Sequence, residues 1–190
     1  MPEPFDALPA TPDRLPDLER VLDDCAEGRH CSCAYWRRPQ ADYLAGRDGG
    51  NRAWFRRLVA EGPPPGIVGY VDGEPAGWCS VGPRAAFVRL ARARALAAID
   101  AQPVWSVNCF IVRKAHRRRG LAGRLLKAAV AFAAAGGADL VEGYPIDRAT
   151  GRTSASLYTG TLGMFRAAGF SECMRRLPTR PIVRIKISSG

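Results

Sequence analysis

Apolar positions along this chain switch between a period near 3.6 and a period of two, and the switches mark its elements. Residues 5–9 read as a short strand. Thr11-Pro12-Asp13 then offers side-chain oxygens to the free N–H groups of a helix start, and Leu15, Leu18, Val21 and Leu22 form a stripe running to about Cys25. Residues 29–39 are irregular, aromatic and cysteine-bearing. Trp54, Phe55, Leu58 and Val59 predict a second helix over 51–60, stopped by Gly-Pro-Pro-Pro-Gly at 62–66 because proline cannot continue it. Two strands follow, 67–71 and 75–81, joined at the hairpin signal Asp72-Gly73. Residues 85–99 read as a helical excursion on Phe87, Leu90 and Leu96. The run 104–112 is apolar on both faces, as a central strand is. A helix from Gly120, with Leu121, Leu125, Ala129 and Phe132 on one face, ends at Gly136-Gly137. Residues 138–144 form the next strand, with Leu140, Glu142 and Tyr144 on one face and Val141 on the other. A polar loop over 147–154, a helix over 156–168 and strands at 172–176 and 182–187 complete the chain. This order predicts a mixed α/β sandwich of three layers.

Composition narrows the class. A chain of 190 residues that is 47% apolar can bury one sizeable core. No run of 18 apolar residues is present, so no membrane partner is expected. The first residues lack the apolar centre of a signal peptide, and six cysteines in a chain this long do not suggest a disulfide scaffold. These features predict a cytoplasmic protein. The net charge of +10 comes from 25 Arg and three Lys against 18 acidic residues. It favours an anionic ligand. Nucleic acid is the competing anion, but no DNA- or RNA-binding motif is present, and the basic residues cluster elsewhere.

That cluster lies between strand and helix. From Arg113 to Lys127 there are seven Arg or Lys residues and no Asp or Glu. A strand feeding a small-residue loop at a helix start presents unpaired N–H groups and the positive end of the dipole to an anion. Each charge-assisted bond to a phosphate contributes roughly 1.5–3 kcal/mol. A Walker loop would need Gly-Lys-Ser/Thr, which is missing. A dinucleotide fingerprint would need a first glycine that is also missing, although Glu142 stands at the acidic residue's distance. The remaining alternative is a solvated basic helix start.

Arg117-x-x-Gly120-x-Ala122, preceded by Val112 at a strand end, resembles the acyl-CoA loop of the GNAT superfamily of N-acyltransferases. Phe165-Arg-Ala-Ala-Gly169-Phe170 is similar to the family's Tyr-x-x-x-Gly-Phe helix ending. The likeness covers residues 66–188 well and residues 1–65 loosely, the latter reading as N-terminal helices and an acceptor-side segment of one domain. Blocks such as Gly77-Trp78-Cys79-Ser80-Val81 are similar to a bacterial subgroup of unclear substrate.

The resemblance implies a three-layer α/β/α GNAT-like fold whose mixed, mostly antiparallel, central sheet splays after the fourth strand. The co-substrate it implies is acetyl-CoA or another acyl-CoA. The backbone of Phe110, Ile111 and Val112 would pair with the pantetheine arm and hold the thioester. The amides of Arg118, Arg119, Gly120, Leu121, Ala122 and Gly123, flanked by Arg117 and Arg124, would bind the pyrophosphate. A small-molecule amine is the expected acceptor, attacking directly in a ternary complex, and a homodimer is a family-level expectation.

The proton carriers are open. Glu142 is the candidate base, with Asp147 second; the alternative for Glu142 is a carboxylate paired with one of the many arginines. The Tyr that often protonates the leaving thiolate is Phe165 here. Tyr158, two turns earlier on the expected helix, and Tyr144, at the strand end, are the candidate substitutes. The vacancy also motivates a second reading, a non-catalytic acyl-CoA-binding or sensory module. Cys109 and Cys79 could instead carry the acyl group, although most buried strand cysteines are apolar fillers. His30, Cys31, Cys33 and Cys25 are spaced too tightly for a structural zinc, so no metal is expected. Tyr35 and Trp36 in the same segment would suit a flat or cationic acceptor.

Overall fold

Seven strands form one sheet in the order β1-β2-β3-β4-β5-β7-β6. They are β1 (Phe5–Pro9), β2 (Gly66–Val71), β3 (Glu74–Pro83), β4 (Trp105–Val112), β5 (Leu140–Gly143), β6 (Ser171–Leu177) and β7 (Arg180–Lys186). The computed structural model describes residues 3–147 and 157–187, apart from the side chains of Ala26 and Glu27. Every strand pair is antiparallel except β4–β5. The polar loop expected over 147–154 lies almost wholly outside the described residues.

The helices are α1 (Leu15–Asp23), α2 (Ala26–Cys31), α3 (Gln40–Ala45), α4 (Gly50–Glu61), α5 (Val88–Arg92), α6 (Leu121–Ala135) and α7 (Leu162–Ala167). One face of the sheet packs against α6 and α7 through Leu125, Leu126, Ala129 and Phe165. The other packs against α1 and α4 through Leu18, Leu22, Phe55 and Val59. Both faces of β2, β3 and β4 are therefore buried, which explains their near-continuous apolar runs.

Several expected boundaries move for local reasons. Residues 12–14 form a 3-10 turn before α1, and the Thr11 hydroxyl accepts from Arg14 rather than capping the helix. The 29–39 segment is less irregular than expected, because α2 runs to Cys31 with the Cys25 sulfur accepting from the Gly28 N–H. The 85–99 excursion is three short helical pieces, of which α5 is the longest. The helix expected over 156–168 begins only at Leu162. Gly160 takes a left-handed φ of +81°, and the Thr161 side chain accepts from Met164 N–H as the cap.

The splay has two causes, one on each strand. Beside β5, Pro145 has no N–H to continue a ladder, and pairing with β4 ends after Val107–Gly143. On β4, the register with β3 slips between Cys109 and Val107, leaving Asn108 as the extra residue of a β-bulge. The bulge reverses side-chain parity. Val107 faces α6, while Cys109 and Ile111 face the α1 side and Phe110 faces α6.

Close packing at the edge of the splay gives a test. A Cβ on Gly143 would lie 2.1 Å from the ring of Phe165, which is fully buried. Gly143→Ala should cost about 1–3 kcal/mol by overpacking. Thermal melting followed by circular dichroism should then show a loss of roughly 2–12 °C. An unchanged midpoint would mean that the ring has room to yield.

Candidate active site

The loop between β4 and α6 forms an anion cradle. Arg118 and Gly120 both adopt left-handed φ, +61° and +73°. This turns successive amides outward, and a Cβ on Gly120 would meet nothing within 4 Å. Among the described residues, the N–H groups of Arg118, Arg119, Gly120, Leu121 and Ala122 have no backbone partner. Gly123 departs from the expectation: its N–H is 3.0 Å from the Gly120 carbonyl and closes the first turn of α6. The charged side chains also divide. Arg119 pairs with Glu3 at 3.0 Å, and Arg124 donates to the Glu3 carbonyl while stacking 4.4 Å from the Phe5 ring. Arg117 donates through Nε to the Val112 carbonyl at 3.0 Å and keeps the rest of its guanidinium exposed.

The edge of β4 departs further from the expected pseudo-strand site. In the antiparallel register, Arg113 N–H bonds Ala76 carbonyl, so Ile111, two residues back, also turns its backbone toward β3. Phe110 does turn its N–H to the open side, but the Tyr158 carbonyl accepts it at 2.6 Å. Ile146 N–H in turn bonds Gly160 carbonyl. Residues 158–160 thus bridge the wedge between the diverging strands. Of the three expected backbone contacts, Val112 N–H is the one that faces the mouth of the splay unclaimed among the described residues.

A cavity of about 530 Å³ runs from this cradle across the α1 side of the sheet. Arg117, Ala122 and Val112 line one end; Tyr35, Trp36, Tyr43 and Asn108 line the other, with Tyr158 between them and Cys31, Cys33 and Cys109 along the wall. A larger cavity, about 740 Å³, lies at the opposite ends of β4 and β5 around Trp105, Asp139 and Lys186. It shares no residue with the basic loop, so its size does not make it the reaction site.

Of the candidate proton carriers, the structure brings only Tyr158 into the cavity. It sits in the turn ahead of α7, not on a helix, and its backbone is pinned to β4 through Phe110. Burial pushes its phenol up to about 12, so it stays protonated at neutral pH. Glu142 is fully buried and outside the cavity lining. One carboxylate oxygen accepts from Arg84 at 2.9 Å and from Tyr144 at 2.7 Å, and the other from Arg184 at 2.7 Å. Tyr144 is fully buried in the same network, also bonded to Ser106 at 2.8 Å, and burial followed by the Glu142 charge pushes its phenol up. Arg184 continues to Asp100 at 2.6 Å. Asp147 pairs with Arg175 at 2.8 Å. Phe165 packs between Phe110 and Phe170 in the core.

The thiols are poor nucleophiles here. Cys109 lies 3.9 Å from Cys33, and its pKa is pushed well up, first by that contact and then by burial. Burial raises Cys79 strongly and Cys31 to about 11. Among the described residues no three His, Cys, Asp or Glu side chains are grouped to hold a metal ion. Nor is any helix long and apolar enough to cross a membrane.

A protein-family model described as the Acetyltransferase (GNAT) family matches residues 16–159, more than half of the chain. The chain belongs to the GNAT family. Acetyl-CoA is accordingly its co-substrate. GNAT structures share the fold at low identity. One from Listeria monocytogenes is 14% identical over 96% of this chain and 95% of its own, with a TM-score of 0.56. A PaiA N-acetyltransferase from Thermoplasma acidophilum, solved with coenzyme A, is 9% identical over 97% and 99%, at 0.53. The YncA protein of Salmonella typhimurium, an acetyltransferase structure solved with its cofactor acetyl-CoA, is 15% identical over 98% and 95%, at 0.51. No curated protein sequence matches the chain.

Asn108 is a cavity residue that no motif in the sequence marks. The signal was there in part: an amide in the middle of an otherwise apolar central strand has no place in a dry core.

Proposed function

We propose that this protein is an N-acyltransferase that moves an acetyl group from acetyl-CoA to an amine, by direct attack in a ternary complex. The observation that carries the reading is one cavity that runs from the edge of the cradle, at Arg117 and Ala122, to the aromatic residues Tyr35, Trp36 and Tyr43. The co-substrate supplies an activated thioester, and the chain's residues place and protect it. The cradle amides and Arg117 suit a pyrophosphate, and Val112 N–H suits an amide of the pantetheine arm. In the transfer, the amine nitrogen bonds to the thioester carbon and the carbon–sulfur bond breaks. The nitrogen loses one proton and the sulfur gains one. Tyr158, protonated and held at the cavity by its backbone bond to β4, gives its proton to sulfur and recovers from the nitrogen the one that it loses. The Glu142–Arg84–Arg184–Tyr144 network holds the ends of β4 and β5 together beside the splay. The acceptor is a small molecule, the protein is cytoplasmic, and neither nucleic acid nor membrane takes part.

Thermal melting with acetyl-CoA, coenzyme A and ATP tests the co-substrate site. At ~100 times Kd, binding contributes about 2.7 kcal/mol. For a chain of this length that is a rise of roughly 5–11 °C. Acetyl-CoA and coenzyme A should both give it and ATP should not. Turnover of acetyl-CoA with an amine panel then separates an enzyme from a binding module. A melting curve unmoved by acetyl-CoA would remove the reading.

A further inference from the structure

The far end of the cavity holds groups that the acyl-transfer reading does not use. Asn108 is 1% exposed, yet neither the nitrogen nor the oxygen of its amide has a hydrogen-bond partner. Trp36 is 8% exposed, and its indole N–H is also unpartnered. Both residues line the cavity. Buried polar side chains are nearly always paired, because water is lost without replacement when they are not. An unpaired amide in the wall of a cavity is therefore matched to a ligand that donates and accepts in return.

The same wall argues against a cationic ligand. No Asp or Glu lines the cavity among the described residues. Two of the lining rings already carry a cation: the Arg89 guanidinium lies 4.0 Å from the centre of Tyr35 and 5.5 Å from that of Tyr43. Arg117 adds positive charge at the opposite end. Nor does a described carboxylate stand ready to take a proton from an ammonium, since Glu142 is held by two arginines outside the lining. The described wall favours an acceptor that arrives uncharged. An alkyl ammonium, with a pKa near that of lysine at about 10.4, is charged at neutral pH. A weakly basic aromatic amine is not.

We propose that the unpaired Asn108 amide and Trp36 N–H form an acceptor subsite for a flat, uncharged aromatic amine whose ring carries a neutral group, such as a carboxamide, that both donates and accepts hydrogen bonds. The proposal rests on the acyl-transfer reading and narrows its acceptor. The probes are p-aminobenzamide, aniline and spermidine, with released coenzyme A as the readout. The expected order of kcat/KM is p-aminobenzamide first, aniline at least about tenfold lower for want of the bonded group, and spermidine last. Asn108→Leu should raise the KM for p-aminobenzamide about tenfold, a lost hydrogen bond of ordinary strength, and leave acetyl-CoA affinity by calorimetry unchanged. Trp36→Phe, which keeps an aromatic ring, should do the same to a smaller degree and serves if the first variant does not fold. Preference for spermidine, or a KM unmoved by either variant, would overturn the subsite. So would a protein that binds acetyl-CoA yet acetylates no aromatic amine. If acetyl-CoA itself does not bind, the acyl-transfer reading fails instead, and calorimetry of p-aminobenzamide on the protein alone then decides the subsite: binding weakened by Asn108→Leu supports it, and no binding overturns it.

Discussion

Glu142→Gln should unfold the protein at a markedly lower temperature. The carboxylate is fully buried and satisfies two guanidiniums and a phenol; the Arg84 and Arg184 side chains are themselves only 16% and 9% exposed. A neutral amide leaves Arg84 without a counter-charge and Arg184 with Asp100 alone. Removing one partner of a buried ion pair costs roughly 3–5 kcal/mol, because the other charge stays desolvated. For a chain of this length the melting midpoint should drop by roughly 6–20 °C. Below that midpoint, the folded fraction should bind acetyl-CoA as the wild type does and keep its pH–rate profile. The opposite pattern, an unchanged midpoint with a lost acidic limb in the profile, would restore Glu142 as the general base.

Tyr158→Phe should lower kcat with little effect on folding or on acetyl-CoA affinity. General acid catalysis contributes on the order of 10²–10⁴-fold, and a coenzyme A thiolate is a tolerable leaving group, so a loss near ~10²-fold is expected. The backbone bond to Phe110 survives the substitution, because it uses the Tyr158 carbonyl and not the phenol. The phenol's pKa, raised to about 12 by burial, also sets a pH signature. The protonated acid persists through neutral and mildly alkaline pH, so the wild-type rate should hold until the phenol ionises near 12. Stability follows the same sign. The contribution of a phenol with a raised folded pKa is intact below the unfolded value near 10 and is lost as pH climbs through about 12. A Tyr158→Phe enzyme with wild-type kcat would remove the acid role.

The elements were largely legible because each needs only local information. Apolar periodicity marked α1, α4, α6 and the inner strands, and Asp72-Gly73 marked the β2–β3 turn. The anion cradle was legible too, since its left-handed turns and free amides follow from small residues at a helix start. Where the reading and the structure part, a partner distant in sequence decides. Glu142 alternates with Val141 as expected, but only tertiary packing brings Arg84 from 58 residues away and Arg184 from 42 to close on it. Phe110 faces the splay as expected, but only the fold lays the Tyr158 carbonyl against its N–H. Period-two alternation would put Val107, Cys109 and Ile111 on one face. The bulge at Asn108 moves Cys109 and Ile111 to the other and leaves the amide at the cavity. By itself the sequence determined the family, the order of elements and the loop that cradles an anion. The tertiary structure decided which polar groups are paired and which are buried without a partner, because a hydrogen bond depends on atoms that only folding brings within reach.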